Sequence, residues 1–301
     1  MSTVKPNRPV TGVFWMLVTG VCFICVTALV KLLGPEIPPA ESAFLRYVIG
    51  LVFLVPALGQ LRAAHLTPRQ WRLFALRGFC HAMGVILWFY AMPRIPLADV
   101  TAMNYLAPVY VTLGAALFLG ERLAARRIAA IVFALVGAMI ILRPGFREVS
   151  SGHLAMIGTA ILFGGSYLLA KIVADEVHPA VVVAMLSIFV TIALFPFAVA
   201  DWVMPTWRQL GILFLVACCA TAGHYTMTLA FAAAPVTVTQ PVTFTQLVWA
   251  VLLGYFAFGE AVDIWVVVGG VVILGSVTFI TWREAVLNRR PVTPPMPATK
   301  T

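Results

Sequence analysis

Long apolar runs separated by short polar breaks dominate the sequence. A helix needs about 20 apolar residues to cross a hydrocarbon core about 30 Å thick. Ten runs of suitable length follow one another, at 11–33, 40–60, 72–93, 97–119, 125–143, 151–174, 179–200, 208–231, 236–258 and 262–282. The breaks carry turn residues such as Gly34-Pro35 and Pro144-Gly145. The pattern predicts an all-α integral membrane protein with ten transmembrane helices.

The two halves of the chain repeat one another. Glycine, proline, lysine and glutamate positions recur at an offset of 140 or 139 residues. The pairs are Gly12 and Gly152, Lys31 and Lys171, Pro39 and Pro179, Gly84 and Gly223, and Glu121 and Glu260. Each half holds five spans, an odd number, so the second copy should enter the membrane the opposite way up. Inverted repeats place a binding site near the midplane, between the halves.

The repeats define the domain organisation. We expect a cytoplasmic N-terminal segment at 1–10, a first repeat at 11–143, a second repeat at 151–282 and a disordered cytoplasmic tail at 283–301. Lysine and arginine concentrate beside the spans on the side that would carry both termini, which is the positive-inside bias. The sequence therefore predicts a multi-pass protein of the cell inner membrane with both termini in the cytoplasm.

Composition excludes a soluble fold. Hydrophobic residues make up 62% of the chain and charged residues 10%, whereas soluble domains carry about 25% charged residues. The net charge of +9 is spread in short clusters between apolar runs, so the expected partner is the lipid bilayer and not nucleic acid. Cys22 and Cys25 form a C-x-x-C without the second pair that a zinc site needs. We expect no metal and no cofactor.

Short motifs follow one another in a fixed order along about residues 11–284. They are Phe44-Leu45-Arg46, Arg72 to Arg77, Trp88-Phe89-Tyr90-Ala91, Ile95 to Asp99, Leu106-Ala107-Pro108, Leu119 to Arg122, Leu142 to Gly145 and Phe258-Gly259-Glu260. No single motif is highly specific, but the ordered set resembles the EamA-type branch of the drug/metabolite transporter superfamily. The resemblance implies ten helices arranged as two inverted five-helix repeats.

The resemblance also implies a function. A chain of this family is expected to be a secondary transporter that moves a small organic metabolite across the bacterial inner membrane by alternating access. The pattern is nearest to bacterial proteins linked to uptake of riboflavin or S-adenosylmethionine, and an amino-acid or drug/metabolite exporter of the same family is the alternative. The coupling ion stays open, with the proton as a candidate. Monomer and homodimer are both compatible with the sequence.

An intramembrane enzyme and a channel-like scaffold are the alternatives from other classes of function. An intramembrane enzyme would need a metal or nucleophile motif, and the sequence has neither H-E-x-x-H nor G-x-S-x-G. A channel-like scaffold would conduct without saturation. The chain also lacks G-x-x-x-x-G-K-[ST], so it does not hydrolyse ATP through a P-loop. Saturable flux in liposomes would favour the transporter over both.

Ionisable residues inside the spans are candidates for substrate binding. A charge in lipid is costly and faces protein or water, which makes it a functional candidate by default. Arg46 in span 2 and Arg77 in span 3 could each hold a carboxylate or phosphate by two parallel bonds. Snorkelling, or pairing of Arg46 with Glu41, is the alternative. His81 lies four residues after Arg77 on the same helix face and joins the set.

Spans 4 and 9 occupy matching places in the two repeats, and both are unusually polar. A polar stripe in a membrane helix must face protein or a wet cavity, so we expect these helices to line a substrate cavity. The candidates are Thr101, Asn104 and Tyr105 in span 4, and Thr239, Gln240, Thr243, Gln246 and Trp249 in span 9. Hydrogen bonding between helices is the alternative reading. Asp99 and His224 are weaker candidates for proton coupling.

Overall fold

The computed structural model describes residues 8–120, 125–174, 176–234 and 236–288. Within these ranges the secondary structure is helical. The α-helices are α1 Pro9–Leu33, α2 Pro39–Leu51, α3 Leu58–Ala63, α4 Pro68–Ala91, α5 Leu97–Asn104, α6 Ala107–Phe118, α7 Ala125–Leu142, α8 Ser151–Ala174, α9 Pro179–Ala200, α10 Trp207–Ala233, α11 Val236–Thr239, α12 Phe244–Phe258 and α13 Ile264–Asn288. Two 3₁₀ segments, Val52–Ala57 and Gln240–Thr243, complete the set.

Ten segments cross the membrane, as predicted. Nine helical segments of the described chain are long and apolar enough to span a bilayer. The tenth is the predicted second span, in which α2, a 3₁₀ segment and α3 follow one another from Pro39 to Ala63. Pro56, near the end of the first 3₁₀ segment, has no amide hydrogen to donate to a preceding carbonyl. The span is therefore a broken helix.

The inverted repeat is visible in how the helices pair. Helix α1 packs along α10, α4 packs along α8, and α7 packs along α13. Every one of these pairs joins a helix of the first repeat to one of the second. Since α1 corresponds to α8 and α4 to α10 in the repeat, the first two pairs are equivalent to each other. The third pair, of the fifth and tenth spans, is equivalent to itself.

Spans 4 and 9 break at corresponding places. Span 4 is divided between α5 and α6 at Tyr105 and Leu106, just before Pro108. Span 9 consists of α11, the 3₁₀ segment that contains Pro241, and α12. Discontinuous helices in matching positions of two repeats commonly surround the substrate site of a transporter, because their interrupted backbone is tolerated where it lines a cavity.

The chain ends differ from expectation where they are described. Helix α13 continues to Asn288, so residues 283–288 of the predicted disordered tail are helical. These six residues extend the last membrane helix by more than one turn. Residues 289–301 of the tail and 1–7 of the N-terminal segment lie outside the described ranges.

Candidate functional site

A cavity of about 240 Å³ lies between the two repeats. Both repeats line it, through α1, α2, α4, α5 and α6 on one side and α8, α10 and the break of span 9 on the other. Aromatic rings form much of its wall. They belong to Phe23, Tyr47, Trp88, Phe89, Tyr105, Phe163 and Tyr167. A cavity with this lining suits a ligand that has flat apolar faces.

Most of the predicted site residues meet at this cavity. The residues that line it are Arg46, His81, Thr101, Asn104, Tyr105, His224, Thr243 and Gln246. They come from both repeats, and the sequence separation between the first and last is 200 residues. Their roles in binding stay predictions, but their common location is a property of the fold.

Five predicted residues have a different outcome, including Asp99, which belongs to the charged cluster described below. Arg77 donates to the Val182 carbonyl at 3.0 Å and does not line the cavity. Thr239 is fully buried away from the cavity, because the 3₁₀ segment after it turns the stripe that a continuous α-helix would have formed. Trp249 is 47% exposed on the outer surface, where lipid would contact it. The side chain of Gln240 lies outside the described part of the chain.

Arg46 is a cationic side chain that lines the cavity. Its guanidinium carbon lies 4.0 Å from the centre of the Tyr47 ring, a cation–π arrangement. The alternative pairing with Glu41 does not form, since a Glu41 carboxylate oxygen accepts from the Val203 amide at 2.9 Å. No carboxylate of the described residues pairs with Arg46.

The two cavity histidines contact rings and a hydroxyl. His81 stacks on Phe163 with ring centres 4.7 Å apart, and its Nδ1 lies 3.3 Å from the Ser166 hydroxyl. His224 meets the ring of Phe23 edge to face, with centres 5.2 Å apart. Both histidines therefore complete the aromatic wall.

Two buried polar atoms at the cavity lack a hydrogen-bond partner among the described residues. They are Nε1 of Trp88, a donor, and Oδ1 of Asn104, an acceptor. A third polar group is satisfied, because the Tyr105 hydroxyl donates to the Thr243 carbonyl at 2.9 Å. That carbonyl belongs to the break in span 9, so the bond connects the interrupted helices of the two repeats.

A charged cluster closes the face of the protein that holds the loops after α1, α4, α7 and α12. One part of it joins Lys31 to Glu260 at 2.7 Å. Lys31 also donates to the Ile95 carbonyl, and Glu260 accepts from the Leu97 amide. The Glu260 side chain is largely buried, with 14% of its surface exposed.

The other part of the cluster surrounds Asp99, which is buried. His153 Nε2 lies 2.8 Å and Arg147 Nη2 lies 2.5 Å from the same Asp99 oxygen. Arg143 pairs with Asp263 beside them. Asp99 is thus held by two basic groups and does not line the cavity. Sequence reasoning missed Arg147 and His153, although basic residues at a span end are a detectable signal.

At the opposite face the repeats are connected by an exposed ion pair. Arg69 pairs with Glu176 at 2.8 Å on the exposed surface. The bond from Arg69, with a second from Gln70, lowers the pKa of the Glu176 carboxyl below its ordinary value of 4.5.

A second cavity of about 240 Å³ shares Pro108 and Tyr167 with the first and extends to Lys171. Its wall is formed by α6, α8 and α13.

These features define a class of protein. Ten membrane-crossing segments, two inverted repeats and a central cavity walled by both repeats make a carrier of small molecules. The EamA-like transporter family model matches residues 10–143 and again 150–282. The chain belongs to that family and is a multi-pass membrane transporter.

Three similar proteins carry different substrate names. The riboflavin transporter of Rhizobium johnstonii is 31% identical over 96% of each chain. The pseudopaline exporter of Pseudomonas aeruginosa is 27% identical over 88% of this chain and 93% of its own. The S-adenosylmethionine uptake transporter of Rickettsia prowazekii is 25% identical over 91% and 93%.

Proposed function

We propose that this transporter carries a flat aromatic metabolite, with riboflavin as the substrate, by alternating access across the bacterial inner membrane. The observation that supports this proposal is a cavity wall of aromatic rings, with Arg46 among them. Flat ring systems stack on such walls, and a few polar groups then fix the orientation of the ligand. The riboflavin transporter among the relatives supports this choice.

Alternating access is supported by the different connections at the two faces. The charged cluster ties the repeats together at one face through the short, largely buried contacts Lys31–Glu260 and His153–Asp99. At the other face the second cavity, which shares Pro108 and Tyr167 with the central one, extends toward Lys171. We propose that the closed face is periplasmic and that both termini are cytoplasmic, as the distribution of basic residues indicates.

Coupling and assembly belong to the proposal as well. A proton is the candidate coupling ion, and His224 and Asp99 are the candidate sites for it. His224 lines the cavity, whereas Asp99 lies in the charged cluster. Transport as a monomer or a homodimer is compatible with a cavity that a single chain encloses. Uptake assays with and without an imposed pH gradient test the coupling.

The experiment is counterflow of radiolabelled riboflavin into liposomes that contain the purified protein. We expect saturable uptake that excess unlabelled riboflavin suppresses. Phe163→Leu should reduce uptake by about tenfold, because a stacking face worth about 1 kcal/mol or more is lost. Phe256→Leu is the matched control, since this ring is 78% exposed on the lipid side.

Two outcomes would contradict the proposal. Wild-type liposomes that show no riboflavin counterflow, while S-adenosylmethionine or an amino acid exchanges, would assign a different substrate. Conversion of the substrate into a product would point to an intramembrane enzyme. Direction is read in cells, where an exporter lowers and an importer raises the internal riboflavin concentration.

A further inference from the structure

Among the described residues that line the central cavity, one side chain carries a permanent charge. Arg46 supplies a permanent positive charge, and the cavity lining contains no aspartate or glutamate among the described residues. His81 and His224 are the other ionisable groups of basic type there. A permanent charge inside a membrane needs a counter-charge, a dipole or water. At Arg46 the described chain offers the face of the Tyr47 ring, so the guanidinium edge is left for a ligand.

The cavity also has unused neutral hydrogen-bonding groups. The Trp88 indole N–H is a donor and the Asn104 amide oxygen is an acceptor, and both are buried without a partner in the described chain. An orphaned buried polar atom is costly, and a ligand that satisfies it gains the corresponding affinity. The arginine, the indole and the amide come from α2, α4 and α5, and all line the same cavity.

From these observations we propose that Arg46, Trp88 and Asn104 form a recognition set that determines substrate specificity. It takes a neutral or anionic flat heterocycle that offers acceptor atoms to Arg46 and Trp88 and an N–H to Asn104. It rejects organic cations, because a positive charge near Arg46 meets like charge in a site of low dielectric. The inference rests on the proposed function, in that the central cavity is the transport site.

The recognition set discriminates between riboflavin and S-adenosylmethionine, the substrates that the names of two relatives give. A flavin presents two carbonyl oxygens on either side of an N–H, which complements two donors and one acceptor. S-adenosylmethionine carries a fixed sulfonium charge, and no carboxylate of the described cavity lining can pair with it. The recognition set therefore favours the flavin and disfavours the sulfonium compound.

The test uses three flat probes of graded chemistry with purified protein in lipid nanodiscs. Riboflavin is neutral, riboflavin 5′-phosphate is anionic and proflavine is a tricyclic cation. Equilibrium dialysis gives the dissociation constant of each. We expect the wild-type protein to bind the neutral and anionic probes at least about tenfold more tightly than the cation, as expected for a charge interaction in a buried site.

Substitutions separate charge from hydrogen bonding. Arg46→Glu should invert the preference, so that proflavine binds more tightly than the phosphate. Trp88→Phe keeps an aromatic ring and removes the N–H, and should weaken riboflavin about tenfold. Asn104→Leu should weaken riboflavin but leave 3-methylriboflavin unchanged, because that analogue lacks the N–H that Asn104 would accept. Arg94→Gln is the matched control, since Arg94 stacks on Tyr90 at 3.7 Å outside the cavity.

The results of these experiments distinguish failure of the recognition set from failure of the proposed substrate. A wild-type protein that binds the cation as tightly as the anion, or that binds neither, overturns the recognition set. So does an Arg46→Glu protein that elutes as a folded species and keeps the wild-type order of probes. If the charge order holds and inverts while riboflavin shows no counterflow, the charge selection stands and the proposed substrate fails.

Discussion

At the residue scale, the closest approach of α7 and α13 depends on two glycines. A Cβ atom on Gly269 would lie 2.5 Å from the Gly137 carbonyl oxygen, and one on Gly137 would lie 2.8 Å from the Gly269 carbonyl oxygen. Both obstacles are backbone atoms, which cannot move aside as a side chain can. Small residues at such positions let membrane helices pack closely.

We expect Gly269→Ala to lower the stability of the protein by about 1–3 kcal/mol through overpacking. The measurement is the apparent melting temperature of detergent-solubilised protein. Gly275→Ala in the same helix is the control, because no atom lies within 4 Å of an added Cβ there. Equal melting temperatures for the two variants would show that α7 and α13 are not in backbone contact.

Residue types alone could not separate cavity residues from their neighbours. Trp88 and Trp249 are both tryptophans within membrane spans, yet Trp88 lines the cavity and Trp249 is exposed on the outer surface. Arg46 and Arg77 are both intramembrane arginines, yet Arg46 lines the cavity and Arg77 donates to a backbone carbonyl away from it. Which side of a helix faces the partner repeat depends on packing, and this information is not contained in a single span.

At the element scale, spans 4 and 9 show how a helix break changes a prediction. The i, i+4, i+7 spacing of Thr239, Thr243 and Gln246 predicts one stripe on one helix face. The 3₁₀ segment Gln240–Thr243 has a tighter turn than an α-helix, so the positions before it rotate away. Thr243, the last residue of the 3₁₀ segment, and Gln246, in α12, line the cavity.

The ion pair between Lys31 and Glu260 connects α1 to the loop after α12. Both side chains are largely buried, at 15% and 14% exposure. We expect Lys31→Met or Glu260→Gln alone to destabilise the protein, and the double variant to recover part of the loss. Removing one partner of a buried pair leaves an uncompensated charge or donor, whereas replacing both does not.

Melting temperatures of the four proteins form a double-mutant cycle. Arg69→Gln with Glu176→Gln is the matched cycle at the opposite face, where the pair is exposed and we expect no measurable coupling at pH 7. Glu176 has a lowered pKa, so any stabilisation of the fold by this pair is present at neutral pH. It is lost on acidification, as the pH falls through that lowered pKa. Equal coupling in both cycles would contradict the distinction between the faces.

At the scale of the whole molecule, the inverted repeat makes a prediction about membrane sidedness. Phe146 follows the fifth span and Met204 follows the seventh, and both are exposed at loops. In a cysteine-free protein, Phe146→Cys and Met204→Cys should both react with a membrane-impermeant thiol reagent added outside intact cells. His65→Cys, in an exposed loop at the opposite face, should react only after permeabilisation. Labelling of 146 and 204 from opposite sides would contradict the ten-span arrangement.

Much of this architecture was predictable from the chain itself. The apolar runs, the matched residues such as Lys31 and Lys171, and the ordered motifs determined a ten-span protein of two inverted repeats and its transporter class. The reason is that a bilayer constrains the length and polarity of every span separately, so each span can be recognised from its own residues. The family match at 10–143 and 150–282 agrees with this reading.

Tertiary structure alone decided which residues meet. The cavity is assembled from both repeats, and the charged cluster joins Asp99 to His153 and Lys31 to Glu260 across the boundary between them. A sequence records which side chains can carry charge or hydrogen bonds. Their partners depend on the rotation of each helix and on the position of its breaks, and these are settled only when the two repeats pack against each other.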